Sequence, residues 1–338
     1  MDSGRRTVPA ITVKYDADVI LFDGVSNRQR ILHPNCPKFA VLLAACNGMR
    51  WIHEQIDSIL KLEEVSVTIF ISVDLSSDQT LDWCRRKAEI HPSIQMLPSN
   101  ERFGHAAANF LKMLSIVDLS AFDYVAFADQ DDVWLPSKLL RAHNLITSIK
   151  ADAYSSNVIA FWADGRKRLI EKSQEQVRWD FLFEAAGPGC TYVIRRDLAC
   201  AFQSLLKSRQ DDAQKVGLHD WFIYAFARSH GYRWIIDEQA GVLYRQHENN
   251  QVGVNKGWRA LRLRAGKVLS GWGLTQSALI AELVGLGNDP FVKRWAGGSR
   301  LGLLWLAVHA WQCRRRFRDK LFFALSCLLL CVLGERRR

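Results

Sequence analysis

The sequence predicts an α/β fold in which a mostly parallel sheet is covered by helices on both faces and is followed by a helical C-terminal tail. Three observations support this prediction. Strand-like apolar runs alternate with helix-like segments between residues 38 and 150, polar side chains gather where those runs stop, and basic residues are concentrated after residue 255. Alternation of strand and helix is typical of parallel sheets, which bind ligands at the carboxyl ends of their strands.

The composition indicates a folded chain. Its 338 residues are 49% hydrophobic and 24% charged, which supplies a large core and excludes disorder, collagen and a small disulfide scaffold. The eight cysteines contain no CxxC pair, so we expect reduced thiols rather than a zinc site or a disulfide framework. Because the N-terminus lacks the apolar core of a secretory signal, we expect the protein to act in the cytoplasm.

The first elements follow a turn-rich boundary. Residues 1–37 end in such a stretch and form an N-terminal extension to which the sequence assigns no role. The predicted catalytic domain, residues 38–255, opens with an uninterrupted apolar run at 39–45, which predicts a buried strand. Residues 51–60 have helical spacing, and the β-branched run at 65–73 predicts the second strand.

The alternation continues through the next five elements. Residues 78–90 have helical spacing, and the short apolar run at 94–97 predicts a third strand. A helix is predicted at 106–117 and a strand at 124–128, because the spacing of apolar residues changes from helical to continuous. Residues 136–149 predict a further helix with proline in its first turn.

Polar residues cluster at the predicted strand ends. Asn47 follows the first strand, Asp74 the second, and the acidic stretch at residues 129–132 the fourth. Carboxylates packed this closely repel each other unless a cation or hydrogen-bond donors neutralise them. Asp129 and Asp131 also project from the same side of an extended backbone, where both can reach a divalent ion that holds phosphate oxygens. The alternative is a solvated turn with a helix-capping aspartate.

The motifs that follow the predicted strands occur in a fixed order. They are Ala45-Cys46-Asn47-Gly48, the stretch 73–80, Asn100 with Gly104 and Asn109-Phe110, the stretch 129–134, Gly189-Cys190-Thr191, His219-Asp220-Trp221, and residues 244–250 after a predicted strand at 240–244. In this order they resemble the motifs of inverting family 2 glycosyltransferases of the GT-A fold, and most closely those of the bacterial rhamnosyltransferase-like branch. The resemblance covers roughly residues 38–250.

The resemblance implies a nucleotide-sugar donor and a divalent cation, Mg²⁺ or Mn²⁺. The cation would be held by Asp131 and His247, although an ordinary surface histidine is the alternative for His247. Relatives typically show Asp-Asp-Gly-Ser where this sequence has Val-Asp-Leu-Ser at 73–76. The residues expected to bind the donor are Ala45, Asn47, Asp74, Asn109, Asp129 and Arg245, the last through diphosphate oxygens.

Inversion at an anomeric carbon requires a base on the face opposite the leaving diphosphate. By its position Asp220 is the expected base, and the alternative is that it caps the predicted helix 221–229. Asp132 and His219 would support the site, while Gly189 and Thr191 would line the sugar or acceptor pocket. Trp134 and Trp221 either wall the site or belong to the core.

The tail carries the basic charge of the protein. Residues 256–338 contain 16 basic and 4 acidic side chains, a formal charge of +12, which leaves −2 for the rest of the chain. The charge therefore does not favour a nucleic-acid partner, which would be gripped by the folded domain. Two apolar runs at 301–313 and 321–333 are shorter than the roughly 20 residues needed to span a bilayer.

We therefore expect a basic, Trp-rich helical region that lies on an anionic membrane, with the arginines between the two runs against lipid. The alternative is that these helices pack on the domain or on a second subunit. The protein is thus expected to be peripheral on the inner face of the plasma membrane.

The resemblance implies an enzyme that transfers L-rhamnose from dTDP-rhamnose. The basic, Trp-rich tail adds the expectation of a lipid-linked or lipopolysaccharide or polysaccharide acceptor. Three alternatives remain open. The donor could be a UDP-sugar, since pocket shape sets hexose specificity. The protein could be a non-catalytic membrane adaptor that retains the fold, because its Asp74 motif departs from that of its relatives. A nucleotidylyltransferase is disfavoured because the first strand lacks the Gly-rich basic loop that holds a triphosphate.

Overall fold

A computed structural model describes residues 36–98, 102–247 and 270–333. The predicted extension therefore lies almost wholly outside the described residues, as do Asn100, residues 248–250 and the predicted boundary at 255. The strands are β1 Lys38–Ala45, β2 Ser66–Val73, β3 Ile94–Met96, β4 Tyr124–Asp129, β5 Val133–Trp134, β6 Ala153–Ser156, β7 Val158–Phe161, β8 Lys167–Ile170, β9 Val193–Arg195, β10 Trp234–Asp237 and β11 Val242–Arg245.

Helices connect and cover these strands. They are α1 Ile52–Leu60, α2 Thr80–Ile90, α3 Ala106–Ile116, α4 Lys138–Ser148, α5 Arg196–Ser208, α6 Gln210–Ala213, α7 His219–Ser229, α8 Trp272–Leu283, α9 Pro290–Trp295, α10 Arg300–Val308, α11 Ala310–Cys313 and α12 Phe317–Leu333. Two 3₁₀ turns, Asp180–Leu182 and Gly189–Thr191, precede β9.

The main sheet has seven strands in the order β10-β6-β9-β4-β1-β2-β3. β1 pairs in parallel with both β2 and β4, β2 with β3, and β10 with β6, whereas β9 is antiparallel to its neighbours β4 and β6. The prediction of a mostly parallel sheet is therefore confirmed. A smaller sheet, in the order β5-β11-β7-β8, brings the end of β11 beside the residues that follow β4.

The apolar run of β1 is continuous because both faces of the sheet are covered. Leu42 faces one hydrophobic cluster, which includes side chains of α3, α5 and α7, and Leu43 faces the other, which includes those of α1, α2 and α4. Both leucines are fully buried, and each contributes about 1.5–3 kcal/mol by leaving water. This two-sided core fixes the edge at which the strands end.

The predicted elements occur with small shifts at their ends. The helix expected at 78–90 begins at Thr80, because the Asp78 carboxylate accepts hydrogen bonds from the backbone N–H (3.0 Å) and hydroxyl (2.5 Å) of Thr80 in the preceding turn. The helix expected at 221–229 begins at His219, and Leu218 occupies its N-cap position. Asp220 thus lies in the first turn of α7, and the N-cap alternative is wrong.

The C-terminal helices share a core with the catalytic domain. Ile280 of α8, Trp295 of α9, Leu306 of α10 and Cys313 of α11 belong to the same buried cluster as Phe222 of α7. The inner faces of α8–α11 therefore pack on the domain, as the alternative interpretation proposed. Within the three described stretches, no helix combines the length and the apolar character needed to cross a bilayer.

Arginines between the two apolar runs contribute to the interface between the C-terminal helices and the rest of the protein. Arg315 is 6% exposed, its guanidinium lies 3.4 Å from a carboxylate oxygen of Asp180 and 3.6 Å from one of Glu184, and it donates to the carbonyl of Ala185 at 2.6 Å. Arg314 likewise donates to a backbone carbonyl, that of Phe183, at 2.8 Å. The expectation that this run faces lipid is wrong for Arg315, because carboxylates of the domain neutralise its charge.

Candidate active site

The residues predicted to bind the donor come together at the carboxyl edge of the main sheet. Ala44 of β1 pairs with Asp129 of β4, and Ala45 pairs with Val73 of β2, so the three strands end at nearly the same level. Ala45 is buried, and its carbonyl accepts a hydrogen bond of 2.8 Å from the backbone N–H of Asp74.

The loop after β1 is held by side chains from both neighbouring strand ends. Asn47 adopts a left-handed conformation (φ 49°), and its amide oxygen accepts a hydrogen bond of 2.7 Å from the backbone of Ser77. Gln130 exchanges two hydrogen bonds with the backbone of Cys46, at 2.7 and 2.9 Å. A Cβ atom on Gly48 would lie 2.3 Å from the Gln130 amide oxygen, so a larger residue there would displace the Gln130 side chain. We did not predict Gln130, although it lies inside the acidic motif.

The Asp74 carboxylate is used within the protein. It accepts hydrogen bonds from the backbone N–H groups of Leu75 (2.6 Å), Phe103 (3.1 Å) and Gly104 (3.0 Å), and so holds the loop that precedes α3. Asn109, on α3, donates to the Ser72 carbonyl at 3.3 Å, and its buried amide oxygen has no hydrogen-bond partner among the described residues. Contact of either side chain with the donor stays a prediction.

The acidic motif after β4 is crowded. Burial, followed by the charges of Asp131 and Asp220, raises the pKa of Asp129 to about 7. Burial, followed by the charges of Asp131 and Asp129, raises the pKa of Asp132 well above its usual range. One oxygen of Asp132 accepts a 3.0 Å hydrogen bond from the Arg245 backbone N–H, which opposes that rise. Its other oxygen is buried without a partner in the described structure.

Asp129, Asp132 and Cys190 each place a potential ligand atom within 4.8 Å of the others. The thiol of Cys190 is buried, and burial followed by the Asp132 and Asp129 charges raises its pKa well above the usual range. Two buried carboxyl groups with raised pKa values are stabilised as carboxylates by a nearby divalent charge. The electrostatics of the motif thus favour a cation beside it.

Asp131 and His247 lie in direct contact. His247 Nε2 is 2.6 Å from Asp131 Oδ2, and each side chain is 15% exposed. A carboxylate and an imidazole side by side fit a divalent cation that also accepts oxygen ligands from a diphosphate. The structure brings these two predicted ligands together, although they are 116 positions apart in the chain.

Arg245 contacts three groups of the protein itself, and its contact with a diphosphate stays a prediction. Its Nε donates to the Asp131 carbonyl at 2.8 Å, and its terminal nitrogen pairs with the carboxylate of Glu54 on α1. Its guanidinium also lies 4.5 Å from the ring centre of Phe161. Trp51, just before α1, stacks on His247 with ring centres 4.2 Å apart. We predicted roles for neither Trp51 nor Glu54, because a helical pattern does not identify partners in distant motifs.

Asp220 lies close enough to the acidic motif for its charge to raise the pKa of Asp129. Burial raises the pKa of the Asp220 carboxyl to about 6, while the backbone N–H of Trp221, at 2.7 Å, and the charge of Lys172 oppose that rise. A Cβ atom on Gly189 would lie 2.6 Å from His219 Nε2 and 3.3 Å from Asp220 Cβ. Gly189 therefore lies directly against the side chains of the predicted base and its neighbour.

The remaining predicted residues are buried. His219 stacks on Phe110 with ring centres 4.2 Å apart, and burial lowers its pKa to about 3, so the ring is neutral at pH 7. Its Nε2 is buried without a partner among the described residues. The Thr191 hydroxyl donates to the Pro188 carbonyl at 2.7 Å.

Trp134 and Trp221 belong to the core rather than to a wall of the site. Trp221 is buried in the cluster around α7, and its indole N–H donates to the Phe181 carbonyl at 2.9 Å. Trp134 is buried in the other cluster, where the Lys138 ammonium lies 3.3 Å from its ring centre. Burial lowers the pKa of Lys138 to about 7, and we did not predict this buried cation beneath the acidic motif.

The fold and the acid-lined strand edge define a glycosyltransferase of the GT-A class. The family model for glycosyl transferase family 2 matches residues 40–205. The chain is also 43% identical over 288 residues to dTDP-rhamnosyl transferase RfbG of Shigella flexneri. The aligned region covers 85% of this chain and 99% of that protein. The chain belongs to glycosyl transferase family 2 and is a glycosyltransferase.

Solved structures show the same fold at low sequence identity. S. aureus TarS 1-349 in complex with UDP superposes with a TM-score of 0.51 at 15% identity, covering 89% of this chain and 93% of that one. GalNAc-T7 with UDP, GalNAc and Mn²⁺ superposes with a TM-score of 0.52 at 12% identity, covering 75% of this chain and 54% of that one. These similarities confirm the predicted GT-A fold.

Proposed function

We propose that the protein transfers L-rhamnose from dTDP-rhamnose, with inversion, to a lipid-linked or lipopolysaccharide or polysaccharide acceptor at the cytoplasmic face of the membrane. One observation carries the choice of donor: the 43% identity to a protein named as a dTDP-rhamnosyl transferase extends over 85% of this chain. A UDP-sugar is the alternative donor, because fold similarity at 15% identity does not distinguish hexoses.

The chemistry assigned to Asp220 follows from its surroundings. The oxygen of an acceptor hydroxyl forms a bond to the anomeric carbon as the bond between that carbon and the diphosphate oxygen breaks, and the hydroxyl proton passes to the Asp220 carboxylate. A pKa of about 6 leaves Asp220 ionised at pH 7 yet basic enough to accept a proton.

We assign the cation to Asp131 and His247, whose potential ligand atoms are 2.6 Å apart. When bound, a divalent cation supplies positive charge that offsets the charge developing on the leaving diphosphate. Asp129 would face the ribose or sugar of the donor. The loop formed by residues 46–48, held by Gln130 and Thr80, would position the nucleotide.

A binding screen tests this assignment. Isothermal titration of the protein with dTDP-rhamnose and with UDP-glucose, each with and without Mn²⁺, should show Mn²⁺-dependent binding of the dTDP-sugar. Asp131→Asn should remove the effect of Mn²⁺. Unchanged donor affinity in that variant would exclude Asp131 as a ligand. Preferential UDP-glucose binding would support the alternative donor, and a folded protein that binds neither sugar would support the adaptor.

The membrane location rests on the outer face of the C-terminal helices. Eight large apolar side chains of α12 are exposed, among them Leu325 at 60% and Val332 at 78%, and they recur at helical spacing along one face. Leu301 and Val308 of α10 are also exposed. An exposed apolar face of this length is normally covered, and the nearby Arg336, Arg337 and Arg338 favour an anionic lipid surface.

Vesicle sedimentation tests the location. We expect the protein to sediment with vesicles that contain phosphatidylglycerol, and Leu325→Asp with Val332→Asp to reduce the bound fraction, because two charges would have to enter the interface. Leu169→Asp, at an exposed leucine on β8, is the matched control and should bind normally. Equal binding of all three proteins would show that α12 is not the contact surface.

A further inference from the structure

We propose that the start of helix α1 positions the cation ligands: Trp51 holds the ring of His247, and Glu54 holds Arg245, which in turn fixes Asp131. This inference rests on the proposed function, because it assigns positioning residues to the cation site of the transferase. Neither Trp51 nor Glu54 touches the sugar or the reacting atoms in this proposal.

Hydrogen bonds fix the backbone of Trp51 relative to the loop after β1. The N–H groups of Trp51 and Ile52 both donate to the Gly48 carbonyl at 2.9 Å, and the Gly48 N–H donates to the Thr80 hydroxyl at 2.8 Å. Ile52 is fully buried and secures the helix to the sheet. Since the same glycine belongs to the loop assigned to the nucleotide, Trp51 has a fixed position relative to that loop.

The Trp51 ring restricts the orientation of His247. The two rings are 4.2 Å apart with an angle of 26° between their planes, which is a stacked arrangement. A stacked neighbour opposes rotation of the imidazole out of its plane, while Nε2 at the ring edge stays directed at Asp131 Oδ2, 2.6 Å away. Groups that orient a metal-binding histidine commonly change metal affinity by ten- to a hundredfold.

Glu54 acts on the other ligand through Arg245. The Glu54 carboxylate pairs with one end of the guanidinium, and Nε of the same guanidinium donates to the Asp131 carbonyl at 2.8 Å. The Arg245 backbone N–H also donates to the Asp132 carboxylate at 3.0 Å. Helix α1 is therefore linked, through Arg245, to the peptide of Asp131 and to the strand that leads to His247.

Burial distinguishes this arrangement from ordinary core packing. Among the described residues, Trp51 belongs to neither of the two buried hydrophobic clusters, although Ile52 does. The Glu54 side chain is 51% exposed, whereas that of Arg245 is 16% exposed. An exposed glutamate and a half-buried tryptophan add little to the core, so their contacts at the site are the distinctive feature of this turn.

Mn²⁺ binding without turnover tests the proposal. The electron paramagnetic resonance signal of free Mn²⁺ would be followed during titration of each protein in the presence of dTDP, with a protein-free dTDP blank. We expect Trp51→Leu to weaken Mn²⁺ binding about tenfold and Trp51→Phe, which keeps a stacking ring, to bind nearly normally. Glu54→Gln should weaken binding severalfold, and it alters an exposed side chain that the fold does not require.

Trp83→Leu is the matched control, because Trp83 is a half-buried tryptophan on α2, outside the acidic motif. It should bind Mn²⁺ like the unaltered protein. Excess Mn²⁺ should also restore the transfer rate of Trp51→Leu, which loss of folded protein would not allow.

The outcomes separate the two proposals. If His247→Ala loses Mn²⁺ while Trp51→Leu and Glu54→Gln both bind normally, the positioning role is overturned and the proposed function stands. If the unaltered protein with dTDP binds no Mn²⁺ beyond the blank, the cation-dependent function itself fails.

Discussion

The pH dependence of sugar transfer tests Asp220 most directly. Burial raises the pKa of its carboxyl to about 6, against the opposing effects of the Trp221 N–H and the Lys172 charge. A base accepts a proton only in its ionised form, so activity requires the carboxylate. The rate should therefore fall as the pH drops below about 6.

The expected magnitude follows from that pKa. With a pKa of about 6, roughly a tenth of Asp220 is ionised at pH 5 and about nine-tenths at pH 7. An aspartate with the ordinary pKa of about 3.9 would be more than nine-tenths ionised at both pH values. We therefore expect kcat/KM to rise about tenfold between pH 5 and pH 7 and then to level off.

Initial rates from pH 5 to pH 8 at saturating Mn²⁺ would measure this rise, and a repeat at twice the Mn²⁺ concentration would separate it from loss of the cation at low pH. Asp220→Asn should bind the donor normally while turnover collapses. A profile that is flat, or that has its midpoint near pH 4, would refute the assignment.

Two further predictions concern the frame around the site. Gly48→Ala should displace the Gln130 side chain, whose amide oxygen would lie 2.3 Å from the new Cβ. It should therefore raise the donor KM and cost about 1–2 kcal/mol of stability, because the hydrogen bonds of Gln130 to Cys46 are lost. Gly297→Ala, in an exposed turn with nothing within 4 Å of the new Cβ, should change neither. Arg315→Met should lower the unfolding free energy in urea by about 1–3 kcal/mol, because the Ala185 carbonyl and one oxygen of Asp180 lose a buried donor, although Arg228 still pairs with Asp180. Arg318→Met, at a side chain 72% exposed, should cost less than about 0.5 kcal/mol of stability. Equal effects of the two arginine changes would contradict the stabilising contact of Arg315 with Asp180 and Glu184.

The parallel sheet and its acidic edge could be predicted from the sequence because both depend on local pattern. Continuous apolar runs, such as that of β1, occur when both faces of a strand are covered. Once the strands are parallel, Asp74 and Asp129 must lie at one edge. The pairing of Ala44 with Asp129 is the direct consequence of that topology.

The partners of the site residues could not be predicted in this way. Arg245 and Glu54 are separated by 191 positions, and nothing in either local pattern specifies that they pair. Arg245 was expected to bind a diphosphate because an arginine at a strand end fits that role, yet the same guanidinium fits a carboxylate equally well. Long-range electrostatic pairing therefore limited the prediction of the site.

The tail shows a related limit. A run of arginines between apolar segments is typical of a membrane-surface region, but the pattern does not reveal whether an acidic partner lies elsewhere in the chain. Asp180 and Glu184 precede Arg315 by more than a hundred positions, and one of them is fully buried. The apolar runs were identified correctly, whereas the surface that their inner faces contact required the tertiary structure.

The shared core of α7 and the C-terminal helices affects how a variant without the proposed lipid contact could be prepared. Deleting residues 295–338 would strip Trp295, Leu306 and Cys313 from the cluster that supports the helix of Asp220. Such a truncated protein would lose activity through misfolding, and its failure would say nothing about lipid. Polar replacements on the outer face of α12 would remove the proposed lipid-contact surface while leaving the buried cluster around α7 intact.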